Sequence, residues 1–260
     1  MNIESRPGMR RARPVERNRE YDAFARLYNR CWGIEYRAAA APVVERLLLS
    51  RIRPGASVLD VCCGTGQFTA QIRKLGYDVA GIDSSENMLS FARENAPGVP
   101  FTLADVRDFT IGRKFDAAYS VYESLNHVPD MAGLALAFGR IHRHLRPGAP
   151  FLFDLNRDEA YIAFWNDTDA VAADDHAFIT RSSYDEVERI AVCGITSFER
   201  RPAGDWCRDD FTLHQTCHFM GETHDTLLEA GFHDVVLYDA LDVGMKGDAG
   251  YARTFFLAIA

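Results

Sequence analysis

The sequence predicts an α/β protein in which a doubly wound parallel sheet is interrupted by a small antiparallel β-insert. Three observations carry this prediction. Helix-like and strand-like patterns alternate between residues 43 and 156, apolar residues then recur with period two up to residue 219, and a helix and strands return near the end. Alternating helices and strands favour a parallel sheet, because each crossover returns the chain in the same direction.

The strands of the first part are short apolar runs that end at turn signals. We predict five of them, at residues 56–61, 78–83, 101–105, 115–122 and 150–155. Runs of this kind are typical of strands buried on both faces. Apolar residues at helical spacing predict the intervening helices at 43–49, 66–75, 84–96 and 134–145, and Ser84 is a candidate cap for the third.

The second part reads differently. Ile190, Val192, Thr196 and Phe198 share one face of a period-two segment, and Phe211, Leu213, Cys217 and Phe219 share a face of the next. Alternation of this kind is typical of antiparallel strands with one solvated face, and residues 201–205 form a turn between them. A helix at 222–230 and strands at 235–240 and 253–260 complete the chain.

Composition excludes several classes of protein. The 260 residues carry 37 acidic and 29 basic side chains, a net charge of -8, which disfavours a nucleic-acid partner. No apolar run reaches the about 20 residues that a membrane span needs. The first 30 residues hold eight arginines, yet no secretory pattern, and the six cysteines form no CxxC pair. We therefore expect a cytoplasmic protein with free thiols, as a monomer or a homodimer.

A glycine-rich loop after the first strand is the strongest functional signal. Asp60 ends that strand, and Gly64, Thr65 and Gly66 open the next helix. The third glycine of a dinucleotide fingerprint is absent, and a carboxylate at Asp60 would repel a pyrophosphate. A cationic ligand without phosphate fits better, and S-adenosylmethionine, with its sulfonium and ammonium groups, is such a ligand.

Two further acids end the next two strands. Asp83 is suited to accept hydrogen bonds from both hydroxyls of a ribose. Asp105 can accept one from an adenine amine, while Val106 offers its backbone N–H to the ring. A single Asp at a strand end is often only a helix cap, but three in succession favour one nucleoside-like ligand.

Residues 57–156 resemble the class I S-adenosylmethionine-dependent methyltransferases in the segments VLDVCCGTG, VAGIDSSENMLSFAREN, LADVRDF, FDAAYSVYESLNHV and HLRPGAPFLFDLN. The resemblance implies a Rossmann-like sheet of seven strands whose last strand, RTFFLAIA, is antiparallel. Cys62 stands where this family usually has glycine, which leaves less room near the loop. The cofactor-binding residues so implied are Asp60, Cys62, Gly64, Thr65, Gly66, Asp83, Ser84, Met88, Asp105, Val106, Val121 and Tyr122.

The segment YDAFARLYNRCWGIEY, the SLNHV loop and the insert are similar to sugar-amine and glycine-type N-methyltransferases. This similarity implies in-line transfer of a methyl group to a small molecule, with an amine as the favoured acceptor. His127 is the candidate general base, because its ordinary pKa of about 6.5 suits proton removal near neutrality. Tyr28 would cover the cofactor from an N-terminal lid. The candidate acceptor-binding residues are Trp32, Tyr36, Asn126, Asn156, Arg157, Tyr161 and Trp165.

The predicted organisation has five parts: a flexible basic tail at 1–20, a helical lid at 21–42, the cofactor core at 43–156, an acceptor lid at 157–219, and the last helix and strands at 220–260. No metal site is expected, because His142 and His144 face apart on a helix, and His214 and His218 lie about 13 Å apart on a strand. Alternatives stay open: methylation of oxygen or carbon, a nicotinamide-dependent oxidoreductase, a nucleic-acid methyltransferase, or a non-catalytic S-adenosylmethionine-binding protein.

Overall fold

The computed structural model describes residues 19–201 and 203–260, so the basic tail predicted at 1–20 lies almost wholly outside the described residues. The helices are α1 (Arg19–Arg30), α2 (Trp32–Leu47), α3 (Gln67–Lys74), α4 (Glu86–Asn95), α5 (Met131–His144), α6 (Asp158–Phe164) and α7 (Met220–Glu229). The strands are β1 (Ser57–Val61), β2 (Asp78–Asp83), β3 (Phe101–Leu103), β4 (Ala117–Ser120), β5 (Pro150–Asn156), β6 (Thr168–Ala172), β7 (His176–Asp185), β8 (Ile190–Arg200), β9 (Trp206–Thr216), β10 (His233–Asp239) and β11 (Arg253–Ile259).

Seven strands form the main sheet, in the order β10-β11-β5-β4-β1-β2-β3. Pairing is parallel from β5 through β4, β1 and β2 to β3, whereas β11 runs antiparallel to both of its neighbours. Apolar side chains from both faces, such as Leu59, Phe153 and Phe256 on one and Val58, Leu152 and Phe255 on the other, are buried beneath helices. The predicted sheet, with its antiparallel last strand, is confirmed.

The insert is a separate antiparallel sheet with the order β6-β7-β8-β9. Its inner face presents Phe178, Cys193, Ile195 and Leu213, which pack with Phe24 of α1. On β8 the buried series is thus Ala191, Cys193 and Ile195, one residue out of step with the series expected from Ile190 and Val192. The side-chain period is two and both series are apolar, so the pattern alone did not decide which face turns inward.

Several element boundaries differ from the prediction. Helix α2 begins at Trp32 rather than near residue 43, so the predicted boundary at 42/43 lies inside a helix. Strand β4 covers only Ala117–Ser120, because the chain turns at Tyr122 into a left-handed backbone conformation with φ of 70°. The cap of α4 is Ser85 rather than Ser84, and its hydroxyl accepts a hydrogen bond from Met88 N.

Helices α3 and α4 cross closely at Gly66, the residue that caps α3. Gly66 has φ of +70°, and a Cβ there would lie 2.8 Å from the Cα and Cβ of Ala92. Only glycine combines that backbone conformation with that contact. The close crossing fixes the glycine loop against the end of β1, where the candidate site begins. None of the described helices is long and apolar enough to cross a membrane.

Candidate functional site

A cavity of about 770 Å³ separates the carboxyl ends of the main-sheet strands from the inner face of the insert. One end is lined by the loops after β1, β2 and β3, and the other by β7, β8 and β9, while α1 covers it from the side. In an open parallel sheet, the carboxyl ends of the strands are where ligands bind. The topology therefore brings the predicted glycine loop and strand-end acids to one place.

Asp83 lies at the centre of the first end. Its Oδ2 accepts a hydrogen bond from Gly64 N at 2.8 Å, and its Oδ1 accepts one from Ser85 N at 2.9 Å. Burial raises the pKa of Asp83 to about 6, against the lowering effect of these backbone bonds. A carboxylate oxygen can accept more than one hydrogen bond, so the predicted contact with two ribose hydroxyls fits this geometry.

Asp105 lies at the end of the next strand, and the side chain of Arg107 binds it. Arg107 donates from Nε at 2.9 Å and from a terminal nitrogen at 2.6 Å, and its backbone N–H donates at 2.8 Å. Burial acts to raise the pKa of Asp105, but the hydrogen bonds from Arg107 outweigh it and hold this pKa below its ordinary value. Asp105 is therefore a fixed, ionised acceptor, and Val106 follows it in the cavity wall.

Asp60 lies deeper and does not line the large cavity. Its Oδ2 accepts hydrogen bonds from the hydroxyls of Thr69 at 2.5 Å and Tyr119 at 2.7 Å. Burial raises its pKa to about 7. It borders an adjoining cavity of about 30 Å³, whose wall also includes Arg37 and Thr65. The wall of this smaller cavity thus includes both a cationic and a carboxyl side chain, as an amino-acid group requires.

The lid helix α1 closes the cofactor end through Tyr28. The Tyr28 ring lies 3.6 Å from where a Cβ of Gly64 would be, and it packs 5.6 Å, centroid to centroid, from Tyr122. Burial raises the pKa of Tyr28 well above its ordinary value, so this phenol stays neutral. Gln67 at the start of α3 donates to the backbone oxygen and side-chain oxygen of Asn29, which fastens the lid to the loop.

His127 lies in the cavity wall, but both ring nitrogens already have protein partners. Nδ1–H donates to the His214 carbonyl at 2.7 Å, and the amide of Gln215 donates to Nε2 at 3.0 Å. The Gln215 oxygen accepts a hydrogen bond from Tyr161 at 2.7 Å, which sets this orientation of the amide. Burial lowers the pKa of His127 to about 4. The prediction of His127 as a near-neutral general base does not fit this site. Its lowered pKa makes it a weak base, and the Nε2 lone pair that would take up a proton already accepts a hydrogen bond from Gln215.

The predicted acceptor residues fall into two groups. Trp32 and Trp165 line the large cavity. The other five do not line it. Tyr36 borders the smaller cavity and donates to Asp154, and Tyr161 donates to Gln215. Asn126 bridges the Thr216 carbonyl and the Asn156 backbone N–H, and Arg157 binds Asp239 and Thr254. The structure therefore contradicts direct contact with an acceptor in the large cavity for Tyr36, Asn126, Asn156, Arg157 and Tyr161.

Comparison with known proteins finds similar methyltransferases. A family model described as a methyltransferase domain matches residues 58–148. A dTDP-3-amino-3,4,6-trideoxy-alpha-D-glucopyranose N,N-dimethyltransferase from Streptomyces venezuelae is 34% identical over 147 residues, which are 55% of this chain and 60% of that protein. The crystal structure of Streptomyces venezuelae DesVI is 26% identical, covers 90% of this chain and 95% of its own, and superposes with a TM-score of 0.73. Residues 58–148 thus match a methyltransferase domain, and the chain resembles the class I S-adenosylmethionine-dependent methyltransferases in sequence and fold.

The resemblance to sugar-amine enzymes extends beyond the matched domain. The sugar N-methyltransferase KedS8 from Streptoalloteichus sp is 25% identical, covers 100% of this chain and 98% of its own, and has a TM-score of 0.70. The sequence match with the dimethyltransferase spans less than two thirds of that relative's length. The structural matches therefore include the lid and the insert, whereas the sequence match covers only part of the relative.

The residues around the two cavities fit S-adenosylmethionine. Every predicted cofactor-binding residue lines one or the other cavity except Gly66, which allows the close crossing of α3 and α4. In the smaller cavity the hydroxyl of Thr65 is buried and has no hydrogen-bond partner among the described residues. A ligand with an amino-acid end would supply that partner. Among the described residues, no group of three or more His, Cys, Asp or Glu side chains is arranged to hold a metal ion.

Two charged residues that border the cavities are absent from the predicted site residues. Arg37 is the one basic residue between positions 31 and 45, and its place one residue after Tyr36 was the available signal. Glu123 immediately precedes the SLNHV loop and lines the large cavity, but it was passed over in favour of His127. In a loop without periodicity, the sequence does not show which side chain turns inward.

Proposed function

We propose that the protein transfers a methyl group from S-adenosylmethionine to the amine nitrogen of a small molecule. The observation that carries this proposal is the form of the large cavity. A cofactor end with Asp83, Asp105 and Val106 opens directly into a second end walled by Trp32, Phe178 and the hydroxyls of Thr180 and Ser182. An aromatic wall with a few hydroxyls suits a compact, partly polar molecule, and the sugar-amine relatives support nitrogen as the acceptor atom.

The chain's own residues bind and orient both molecules. When bound, S-adenosylmethionine supplies a methyl group activated by the positive sulfonium. Asp83 and Asp105 hold the nucleoside part, and Arg37 with Asp60 receives the amino-acid part. Tyr28 and Tyr122 close the cavity above the glycine loop and exclude water, which favours direct displacement by a nucleophile held about 3–3.5 Å away. Neutral His127 lines the wall and holds Gln215 in place.

A methyl-transfer screen tests this function. The protein is incubated with S-adenosylmethionine carrying a labelled methyl group and with matched pairs of small amines and the corresponding alcohols. We expect label in amines, including amino sugars, and none in their alcohol partners. Label in alcohols alone would make the protein an O-methyltransferase. Binding of the cofactor without transfer would favour a non-catalytic role, and binding of NADH alone would contradict the cofactor assignment.

A further inference from the structure

Glu123 occupies a strained turn at the edge of the large cavity. Tyr122 and Glu123 both have positive φ, 70° and 40°, although neither is glycine. Such a backbone conformation is strained for a residue with a side chain and persists only where its surroundings hold it. Here the backbone N–H of Glu123 donates to Asp154 Oδ2 at 3.0 Å, and Asp154 is a fully buried residue of β5. The fold thus fixes a carboxylate at the cavity wall.

A buried guanidinium holds that carboxylate from behind. Arg253, at the start of β11, lies 2.5 Å from Glu123 Oε2 and also binds Asp154. The Glu123 side chain is 13% exposed, whereas those of Arg253 and Asp154 are 6% and 0% exposed. Two carboxylates thus share one guanidinium, and Tyr36 adds only a neutral hydroxyl, which donates to Asp154. With both carboxylates ionised, the network carries one surplus negative charge, and Glu123 is the member that reaches the cavity.

That surplus charge is costly in the ligand-free protein. Burial raises the pKa of Glu123, although the charge of Arg253 opposes this effect. An ionised buried group with an incomplete set of partners is stabilised strongly by a ligand of opposite charge. His127, the other titratable group of this loop, stays neutral and supplies no such charge.

The other charged residues of the cavity wall also favour a positively charged ligand. Its described charged residues are four acids and two arginines. Both arginines already bind acids, Arg30 with Asp175 and Arg107 with Asp105. Tyr28 and Tyr122 lie beside Glu123, and aromatic faces attract cations. The described wall therefore favours a positively charged ligand over a negatively charged one.

We propose that Glu123 binds the amine of the acceptor, and that this acceptor is a basic amine without an anionic group. This inference rests on the proposed function. The form that reacts is the neutral amine, whose extra proton has passed to solvent before transfer. One N–H of this amine donates to the Glu123 carboxylate, which leaves the nitrogen lone pair free to face the methyl group. As the N–C bond forms, the S–C bond breaks and its electron pair stays on sulfur, so the positive charge moves to the nitrogen. Glu123 stabilises that charge where it develops.

The test uses Glu123→Gln, which keeps the shape and removes the charge. Its matched control is Asp225→Asn, which removes an exposed carboxylate of α7 that lines neither cavity. With an amine substrate from the screen, we expect Glu123→Gln to lower kcat/KM at least about 30-fold, a loss typical of charged hydrogen bonds. Asp225→Asn should stay within threefold of the native protein, and both variants should bind S-adenosylhomocysteine as the native protein does. A Glu123→Gln enzyme within threefold of native kcat/KM would overturn the inference.

A second measurement needs no variant. The native protein, saturated with S-adenosylhomocysteine, is titrated with the amine, with its alcohol analogue and with a phosphorylated form of the amine. We expect the unmodified amine to bind at least tenfold more tightly than the other two. Equal or tighter binding of the phosphorylated amine would overturn the inference while leaving N-methylation intact. A native protein that labels no amine in the screen would instead refute the proposed function.

Discussion

At the scale of single residues, the role of each side chain in this site depends on which of its atoms the protein already uses. Asp83 accepts one backbone bond on each oxygen and still faces the cavity. His127, in contrast, has both ring nitrogens occupied and faces the cavity mainly as a ring. Trp32 and Tyr36 differ in the same way: Trp32 lines the large cavity, whereas the hydroxyl of Tyr36 donates a hydrogen bond to Asp154.

Replacing Asp83 tests the ribose assignment. Asp83→Ala removes the acceptor of two ribose hydroxyls and of the backbone N–H groups of Gly64 and Ser85, so we expect cofactor binding to weaken at least about 100-fold. Isothermal titration with S-adenosylhomocysteine measures this. Asp78→Ala is the matched control, because Asp78 begins the same strand at its far end, half exposed and away from the cavity. Unchanged affinity in Asp83→Ala, or an equal loss in both variants, would refute the assignment.

The sequence predicted the strand-end acids and failed for much of the acceptor wall, for a physical reason. Parallel strands end at one edge, so Asp83 and Asp105 could be placed from topology alone. Asn126 and Arg157 lie in loops or at strand ends, where no periodicity tells whether a side chain faces the cavity or a neighbouring strand. Glu123 depends on Arg253, 130 residues later, and only the folded sheet brings the two together.

At the scale of elements, polar contacts hold the lid helix α1 over the cavity. The sequence predicted a helical lid at 21–42 with Tyr28 over the cofactor, and the structure places Phe24 and Tyr28 of α1 and Trp32 of α2 against the cavity. Three attachments fasten α1 to the main domain: Asp22 accepts from Ser85 and Asn87, Gln67 donates to Asn29, and Asn95 donates to Asn29. We expect a cofactor bound under α1 to dissociate only after these hydrogen bonds break.

Loosening the lid should therefore speed cofactor release. Asn29→Ala removes the side-chain acceptor of two hydrogen bonds, at 2.9 Å from Gln67 and 2.7 Å from Asn95, each worth about 1 kcal/mol. We expect S-adenosylhomocysteine to dissociate about tenfold faster, as followed by stopped-flow tryptophan fluorescence, because Trp32 and Trp165 line the cavity. Arg26→Ala is the control on the same helix, because the Arg26 side chain is largely exposed and its ion pair with Glu199 is worth little. Native release rates in Asn29→Ala would show that α1 does not limit release.

At the scale of the whole molecule, two sheets of different kinds enclose one cavity. The alternation of helices and strands predicted the main sheet well, because buried parallel strands leave a strong apolar signal. The four-stranded insert was foreseen only as antiparallel strands, and its buried face was not. Its inner surface is defined by contact with α1, and such a contact between distant elements leaves no local pattern in the sequence.

The cavity of the ligand-free molecule concentrates negative charge, and this predicts how the cofactor stabilises the fold at different pH. Burial raises the pKa of Asp83 to about 6 and of Asp60 to about 7, so the native state holds protons that the unfolded chain releases near pH 4. The free energy of unfolding that these two groups contribute therefore falls as pH rises from about 4 to about 7. The pKa of His127 is lowered to about 4, so its contribution to the free energy of unfolding rises between about pH 4 and pH 6.5. We expect this contribution to be the same with and without the cofactor.

A cationic cofactor reverses the effect of the two acids, because it stabilises their ionised forms. We expect the increase in Tm on adding S-adenosylmethionine to grow from pH 5 to pH 8, with its midpoint between about 6 and 7, as measured by thermal unfolding at fixed cofactor concentration. The contribution of His127 cancels in this difference. S-adenosylhomocysteine, which lacks the sulfonium charge, should give a smaller rise, and Asp60→Asn should flatten the curve above pH 6. An increase in Tm that stays constant or shrinks toward pH 8 would mean that these carboxylates do not face the positive charge of the cofactor.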